Sequence, residues 1–433
     1  MIMLLYFKFR NYKSFYDEAI FSMTPAPKQK DLEYSIQTEK VGNHQYKGLC
    51  SSVIYGPNAS GKTNVIGAMD TLRAIFVRGN INNSFAFSPN IASSSLELIP
   101  NCNNKQIYTE FSVGFIHESM LFEYTLKIDL GKFLDGEYDR KIKEESLYVN
   151  NKKVFLRNET LEVNLPLLIK PYINESIKRK SKKMLNLAQN SLNDRDLFLV
   201  NGFKMIYANK LVSRINEWFF DCFLVVYRSD VLIANEKISD PNKDKFYIQQ
   251  TLTDSGRIFG MDSEAVGIKV SENGKPMKYS LLKDKKTAIP SEVFESFGTI
   301  RFLNIFPLVL DVFNNGGTLV VDEFDASIHP MAIMNLISIF HNDELNKNHA
   351  QLIFNTHNPI FLNASLFRRD EIKFVERNAK GDSELYSLSD FRTADGVRKG
   401  EDYMNNYFVN RYGAINEVDF TPVFEQSKGR KGG

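Results

Sequence analysis

Residues 53–63, Val-Ile-Tyr-Gly-Pro-Asn-Ala-Ser-Gly-Lys-Thr, match the phosphate-binding pattern G-x-x-x-x-G-K-[ST] without a gap. The candidate nucleotide contacts are Gly56, Pro57, Asn58, Ala59, Ser60, Gly61, Lys62 and Thr63, with Asn64 behind them. The glycines let the backbone curl so that successive N–H groups point at a polyphosphate, and a following helix adds its positive end. Lys62 reaches the β- and γ-phosphates and the Thr63 hydroxyl ligates Mg²⁺. A chance glycine-rich turn is the bland alternative. Far along the chain, Thr318-Leu319-Val320-Val321-Asp322-Glu323 ends an apolar run in two carboxylates. Behind an intact phosphate loop, Asp322 suits Mg²⁺ held through water, and Glu323 suits polarisation of an attacking water. For Glu323 a helix-capping carboxylate is the alternative. A second apolar run, Ala350 to Asn355, delivers Thr356-His357, and ligand-facing groups of parallel sheets sit at such strand ends.

The elements around these residues have the required order. Ser52 to Tyr55 reads as a strand into the loop, and Asn64 to Phe76 as an amphipathic helix out of it. Phe302 to Phe313 reads as an apolar helix stopped by Asn314-Asn315-Gly316-Gly317, just before the Asp-Glu strand. Residues 3–9 alternate as a first strand, with a second through Ala19–Phe21. Arg10 or Lys13, between them, lies beside the nucleotide or is a solvated turn charge. Residues 24–48 read as a polar connection and Asn80 to Asn104 as a loop. Gln106–Phe115 and Met120–Ile128 flank His117-Glu118-Ser119, a hairpin signal that puts His117 on the surface. Further strands are expected at Glu145–Val149 and Lys153–Arg157. His341 and His349 read as surface residues.

Residues 158–222 change character, with helices expected at Asn174–Leu192 and Asp194–Phe220. Lys178, Arg179, Lys180, Lys182 and Lys183 could meet phosphate backbones or an acidic partner, although such a run is more often a solvated helix face. Trp218, Phe219, Phe220 and Phe223 suit core packing better than base stacking. Residues 223–285 return to mixed strands and loops, with Asn235–Lys245 polar.

Composition narrows the class. The 433 residues are 43% apolar and 24% charged, as in a globular protein able to bury a large core. A net charge of +2 gives no global basic field for nucleic acid. Cys50, Cys102 and Cys222 are too few and too scattered for a disulfide framework or a zinc site and fit a reducing cytoplasm. No apolar run approaches the length of a membrane span, Met1–Leu5 is no signal peptide, and no solenoid repeat is present.

Taken in order, the phosphate loop, Ser296-Phe297-Gly298-Thr299, Asp322-Glu323, Asp325-Ala326-Ser327-Ile328-His329-Pro330 and Thr356-His357 resemble ABC-type ATPase heads, as in the chromosome-maintenance, Rad-fifty and RecF proteins. The chain looks closer still to the compact AAA-like ATPases of bacterial anti-phage systems of the AbiL/RloA type, with kin in the OLD, PARIS and Septu groups. Asn11–Phe15, Arg368–Glu376, Arg398-Lys399 and Arg411–Ile415 carry that narrower match. The resemblance implies that Gly56–Thr63 is the Walker A loop and Thr318–Glu323 is Walker B. It makes Ser296, Gly298 and Thr299 the signature segment meeting the γ-phosphate of the opposite protomer. Asp325 and Ser327 become the D-loop, and His357 the switch histidine. Four departures stand out. Bulky Phe297 interrupts the signature and must turn away from the nucleotide. Gln106 is only a weak candidate for the glutamine loop. Long coiled-coil arms and an acidic TOPRIM nuclease module are absent.

The expectation is an α/β P-loop NTPase of ABC-head type, with a RecA-like parallel sheet, an antiparallel β layer and a helical insertion. Residues 1–157 and 291–433 form the head, and 158–290 the insertion and connecting strands. The resemblance implies ATP and Mg²⁺ as cofactors and a homo-oligomer, at least a dimer, closed through the ATP sites. It also implies a separate effector, a nuclease or toxin of TOPRIM or another kind, in phage defence by abortive infection, with no membrane partner. A RecF-like DNA-repair ATPase that binds nucleic acid and an ATP-binding assembly scaffold are the alternatives.

Overall fold

The computed structural model describes residues 2–27, 29, 32–82, 96–103, 108–133, 135, 138–164, 186–190, 192–207, 209–227, 246–270, 276–284, 286–391, 401–415 and 419–429. The basic run at 178–183, Gln106, Asn235–Lys245 and Arg398-Lys399 lie outside the described residues. So do residues 174–185 of one expected helix and 83–95 of the expected loop.

Strand β1 (Ile2–Arg10) turns back into β2 (Ala19–Ser22), and the hairpin β3 (Ile36–Val41) and β4 (His44–Leu49) precedes β5 (Ser51–Tyr55) and α1 (Lys62–Arg78). Strands β6 (Thr109–His117), β7 (Met120–Asp129), β8 (Lys141–Val149), β9 (Lys152–Arg157) and β10 (Leu161–Val163) complete an antiparallel sheet of order β10-β9-β8-β7-β6-β1-β2. Short helices α2 (Phe198–Asn201), α3 (Phe203–Ile206) and α4 (Asn209–Glu217) lead through a π-helical turn at Trp218–Cys222 to β11 (Phe223–Val226). Next come β12 (Phe246–Ile248), α5 (Gln250–Phe259), β13 (Ala265–Val270), β14 (Pro276–Leu281) and β15 (Ala288–Pro290), whose strands form a separate antiparallel sheet. The chain then runs through α6 (Ser291–Phe294), α7 (Phe297–Asn315), β16 (Thr318–Val321), α8 (Pro330–Phe340) and β17 (Gln351–Asn355). It ends in β18 (Ile372–Arg377), β19 (Ser383–Ser387), α9 (Tyr403–Phe408) and α10 (Thr421–Gly429).

The sheet that matters for chemistry has the order β11-β16-β17-β5-β18-β19, with β11 through β18 parallel and β19 antiparallel. All of β5, β16 and β17 is buried, as expected where both faces are covered. Ile54, Val320 and Ile353 face a core shared with α1 and the antiparallel sheet, while Val53, Leu319 and Leu352 face α7 and α8. This is the α/β P-loop NTPase architecture, and it sets the ends of β5, β16 and β17 side by side on one edge.

Several expectations need correction. Residues 36–49 are a β-hairpin and not a featureless connection. Its inward positions include polar Gln37 and Glu39, so apolar alternation is missing. Gln37 Nε2 donates to the Ala350 carbonyl at 2.9 Å, and Glu39 accepts from Ser119 Oγ at 3.0 Å. His117 is the last residue of β6, because the hairpin turn is only Glu118-Ser119, both at positive φ. It is buried and its Nδ1 donates to the Arg214 carbonyl at 2.8 Å. His341 is also buried, with Nε2 2.7 Å from Ser51 Oγ and 3.1 Å from Glu371 Oε1. His349 is half-buried. The helix expected at 194–220 is broken at Gly202 and at extended Tyr207. Its apolar content serves three short helices packed beneath the antiparallel sheet.

The helix expected from Phe302 begins instead at Phe297, and Gly316 at φ 79° ends it. Among the described residues, α7 alone is long and apolar enough to cross a membrane by length and composition, but it packs on β16 and α5.

Of the aromatics, Trp218, Phe219 and Phe223 are fully buried, while Phe220 is 41% exposed. Trp218 is stacked between Phe115, at 3.8 Å, and Phe223, at 4.7 Å. Truncation to Trp218→Ala leaves a cavity that rigid neighbours fill only in part, at about 3–5 kcal/mol. The expected result is a lower denaturant midpoint at unchanged slope, and an unchanged midpoint would show that the cluster adds nothing.

Candidate functional site

The phosphate loop is the connection from β5 to α1, and contacts from distant segments explain its glycines. A Cβ on Gly56 would lie 2.1 Å from the Val375 carbonyl oxygen. Gly61 has φ 117°, and a Cβ there would lie 2.5 Å from Ser383 Oγ and 2.7 Å from Ser14 Oγ. The turn between β1 and β2 and the start of β19 therefore press directly on the loop. Ser383 N donates to the Ser14 carbonyl at 2.7 Å, Ser383 Oγ bonds the Ser60 carbonyl, and Asn64 Nδ2 donates to Ser14 Oγ at 2.7 Å. On the outer side, Arg377 Nε donates to the Ala59 carbonyl at 3.1 Å. Asn58 and Ala59 are exposed, Pro57 is half-buried, and Ala59 has φ 61°.

Lys62 is buried at the first position of α1, where Nζ donates to the carbonyls of Gly56 (2.7 Å) and Pro57 (2.9 Å). Burial lowers its pKa to about 8, although Glu323 and Asp322 push it upward. Thr63 Oγ1 donates to Asp322 Oδ1 at 3.2 Å, which joins the loop to the end of β16. Asp322 is buried and Glu323 is exposed, at φ 50°. The left-handed region disfavours a glutamate by about 1–2 kcal/mol, so neighbouring bonds must hold it there. Asn355 Oδ1 accepts the Glu323 N–H, and Arg301 Nη2 on α7 donates to the Glu323 carbonyl. Asn355 Nδ2 also donates to Asp322 Oδ1 at 2.6 Å.

His357 is exposed beyond the end of β17. Burial of part of the ring and nearby Lys62 depress its pKa, with Glu323 opposing, so the imidazole is neutral at pH 7. Asp325 is half-buried and its pKa is raised, chiefly by desolvation, while the Thr356 hydroxyl works the other way.

Ser296 caps α7, its Oγ accepting from Thr299 N at 3.1 Å and lying 2.8 Å from Thr299 Oγ1. Thr299 is buried and Phe297 is 66% exposed. A Cβ on Gly298 would lie 2.2 Å from the Ser327 carbonyl, so this glycine seats the candidate signature segment on the turn after Glu323.

The two basic residues at the β1–β2 turn have other partners. Arg10 is exposed on the antiparallel sheet, in register with Glu110. Lys13 is not a solvated charge: it pairs with Glu97 and donates to Tyr227 Oη at 3.0 Å. Sequence reasoning missed Asn355, Arg301 and Ser383. The first was legible in principle as a polar residue following the buried apolar run Leu352–Phe354, and the second as one cation inside an apolar helix.

The donor set suits a Mg²⁺–nucleoside triphosphate. A loop too tight for a Cβ presents amides and one cation, and hard oxygen ligands from Thr63 and Asp322 stand together. Among the described residues no cluster of three or more His, Cys, Asp or Glu forms a different metal centre.

Two solved structures align over most of the chain at low identity. One is the crystal structure of the SmcHead bound to the C-winged helix domain of ScpA. It has 12% identity and TM-score 0.41, covering 91% of this chain and 100% of that one. The other is the SMC head domain from Thermotoga maritima, with 12% identity and TM-score 0.36, covering 89% and 98%. No curated protein matches the sequence. The family model described as "AAA domain, putative AbiEii toxin, Type IV TA system" matches residues 51–363, from β5 past His357. With both carboxylates, the phosphate loop and the strands that bring them together inside that match, the chain belongs to this family of AAA-type ATPase domains.

Proposed function

We propose that the chain is a Mg²⁺-dependent ATP hydrolase whose site is completed by a second copy and which controls a separate effector. The observation that carries this reading is the convergence of Lys62, Thr63, Asp322 and Glu323 at one edge of the parallel sheet. Gly56–Asn64 bind the polyphosphate, and Thr63 with Asp322 hold the metal, which supplies charge neutralisation at the phosphates. Glu323, exposed and fixed by its main chain, accepts a proton from the attacking water, and neutral His357 donates a hydrogen bond toward the terminal phosphate. Asp325 and the start of α7, at Ser296, Gly298 and Thr299, serve the opposite copy. Residues 1–157 and 291–433 form most of the head, and the intervening 158–290 lends it β10 and β11, which join its two sheets, before the remainder departs as an insertion. The family description, with its toxin–antitoxin wording, supports a place in anti-phage defence, and the effector proposed is a separate nuclease or toxin. Three unbonded cysteines are consistent with the cytoplasm.

The two-copy site is tested by mixing variants. Substitution at Gly298 would disturb Ser327 in its own chain. Phe297→Asp is cleaner, since Phe297 is exposed and an acid in the first turn of α7 is favourable within the chain. Even with its side chain turned aside from the nucleotide, a negative charge one residue before Gly298 repels a phosphate that a partner presents to the start of α7. Phe297→Asp and Lys62→Ala should each be inactive alone. Mixed one to one, about half the dimers are mixed and each has one sound site, so about a quarter of the activity returns. No recovery, together with no ATP-dependent change in size, would reject the shared site.

A further inference from the structure

We propose that Asn355 is a positioning residue that sets the metal-binding carboxylate and the proton-accepting glutamate with one amide. The proposal rests on the roles given above to Asp322 and Glu323. Asn355 is the last residue of β17, is 1% exposed, and lies level with Asp322, since Val321 and Phe354 are in register. The direction of its amide is forced by its partners. A main-chain N–H can only donate, so Oδ1 faces Glu323, and Nδ2 is left to donate to Asp322 Oδ1.

Each bond has a consequence for the site. Asp322 Oδ1 receives both the Asn355 amide and the Thr63 hydroxyl, so the carboxylate plane is fixed before a metal arrives. The bond to Glu323 N, with Arg301 on the Glu323 carbonyl, grips that residue's main chain on both sides. The grip holds φ at 50° and thereby sets where the exposed carboxylate starts. The two bonds need an acceptor and a donor on the same short side chain. An aspartate at this position accepts from Glu323 but repels Asp322, and a leucine of similar volume does neither.

Asn355→Asp and Asn355→Leu test this with a fluorescent ATP analogue as probe. In EDTA, both variants should bind the probe within about threefold of the unaltered protein, because Lys62 and the loop amides are untouched. With probe present, the Mg²⁺ concentration at half-effect should rise by about 10–100-fold, the usual result of removing a group that orients a metal ligand. Turnover at saturating Mg²⁺ should fall with KM changed only a few-fold, and by a similar factor in the leucine variant, which carries no added charge. An unchanged Mg²⁺ midpoint in both variants overturns the proposal. So does a parallel loss of probe binding in EDTA, Mg²⁺ response and melting temperature, which would make Asn355 a structural residue only. If the unaltered protein hydrolyses no ATP, the hydrolase reading fails while the Mg²⁺ midpoints still decide the role of Asn355.

Discussion

Lys62→Ala should abolish nucleotide binding while leaving the fold intact. The ammonium is buried and held by the carbonyls of Gly56 and Pro57, so it is aimed into the loop before any ligand arrives. Unit charges about 4 Å apart in a site of effective dielectric about 20 attract by about 4 kcal/mol, or about three decades of affinity. The folded chain gives up little, because the lysine's interactions within the protein offset a desolvation that already lowers its pKa to about 8. Labelled ATP titrated in Mg²⁺ buffer, beside a thermal melt, gives the answer. Affinity within tenfold of the unaltered protein would remove the nucleotide site from this loop.

Glu323→Gln should separate binding from turnover. The side chain is exposed, and the bonds from Asn355 and Arg301 grip its main chain, so the amide inherits the same starting point. What it loses is the ability to accept a proton, and removal of a positioned general base typically lowers the rate by about 10²–10⁴-fold. ATP affinity should stay within a few-fold. Because an undischarged nucleotide keeps two copies together under the proposed function, the variant should also run larger on size-exclusion chromatography with ATP than without. Unchanged turnover would assign Glu323 a structural role and put the base elsewhere.

Phosphate-loop chemistry is local, so the sequence exposes it. Gly56, Gly61, Lys62 and Thr63 are spaced by one turn of backbone and the start of one helix. A run such as Thr318–Val321 ending in Asp322-Glu323 likewise shows both its burial and its carboxylates. Strand alternation and the Glu118-Ser119 turn made the antiparallel layer legible for the same reason. Where polar side chains face inward, periodicity fails. Gln37 and Glu39 hid the β3–β4 hairpin, and His117 and His341 looked like surface residues because their partners, Arg214, Ser51 and Glu371, are remote in the chain.

The sequence by itself determined that this protein carries a phosphate loop, a pair of carboxylates behind a buried strand, and a sheet to join them. Only the tertiary structure decided how the site is held. Ser14 and Ser383 brace the loop, Gly298 seats α7 on Ser327, Arg301 grips Glu323, and Asn355 ties Asp322 to Glu323. Each is a contact between segments that meet only when strands, turns and helices from separate parts of the chain are brought together by the sheets. A single hydrogen bond or close approach of that kind leaves no periodic trace in the sequence, because its partner is chosen by how the sheets and helices assemble and not by spacing along the chain.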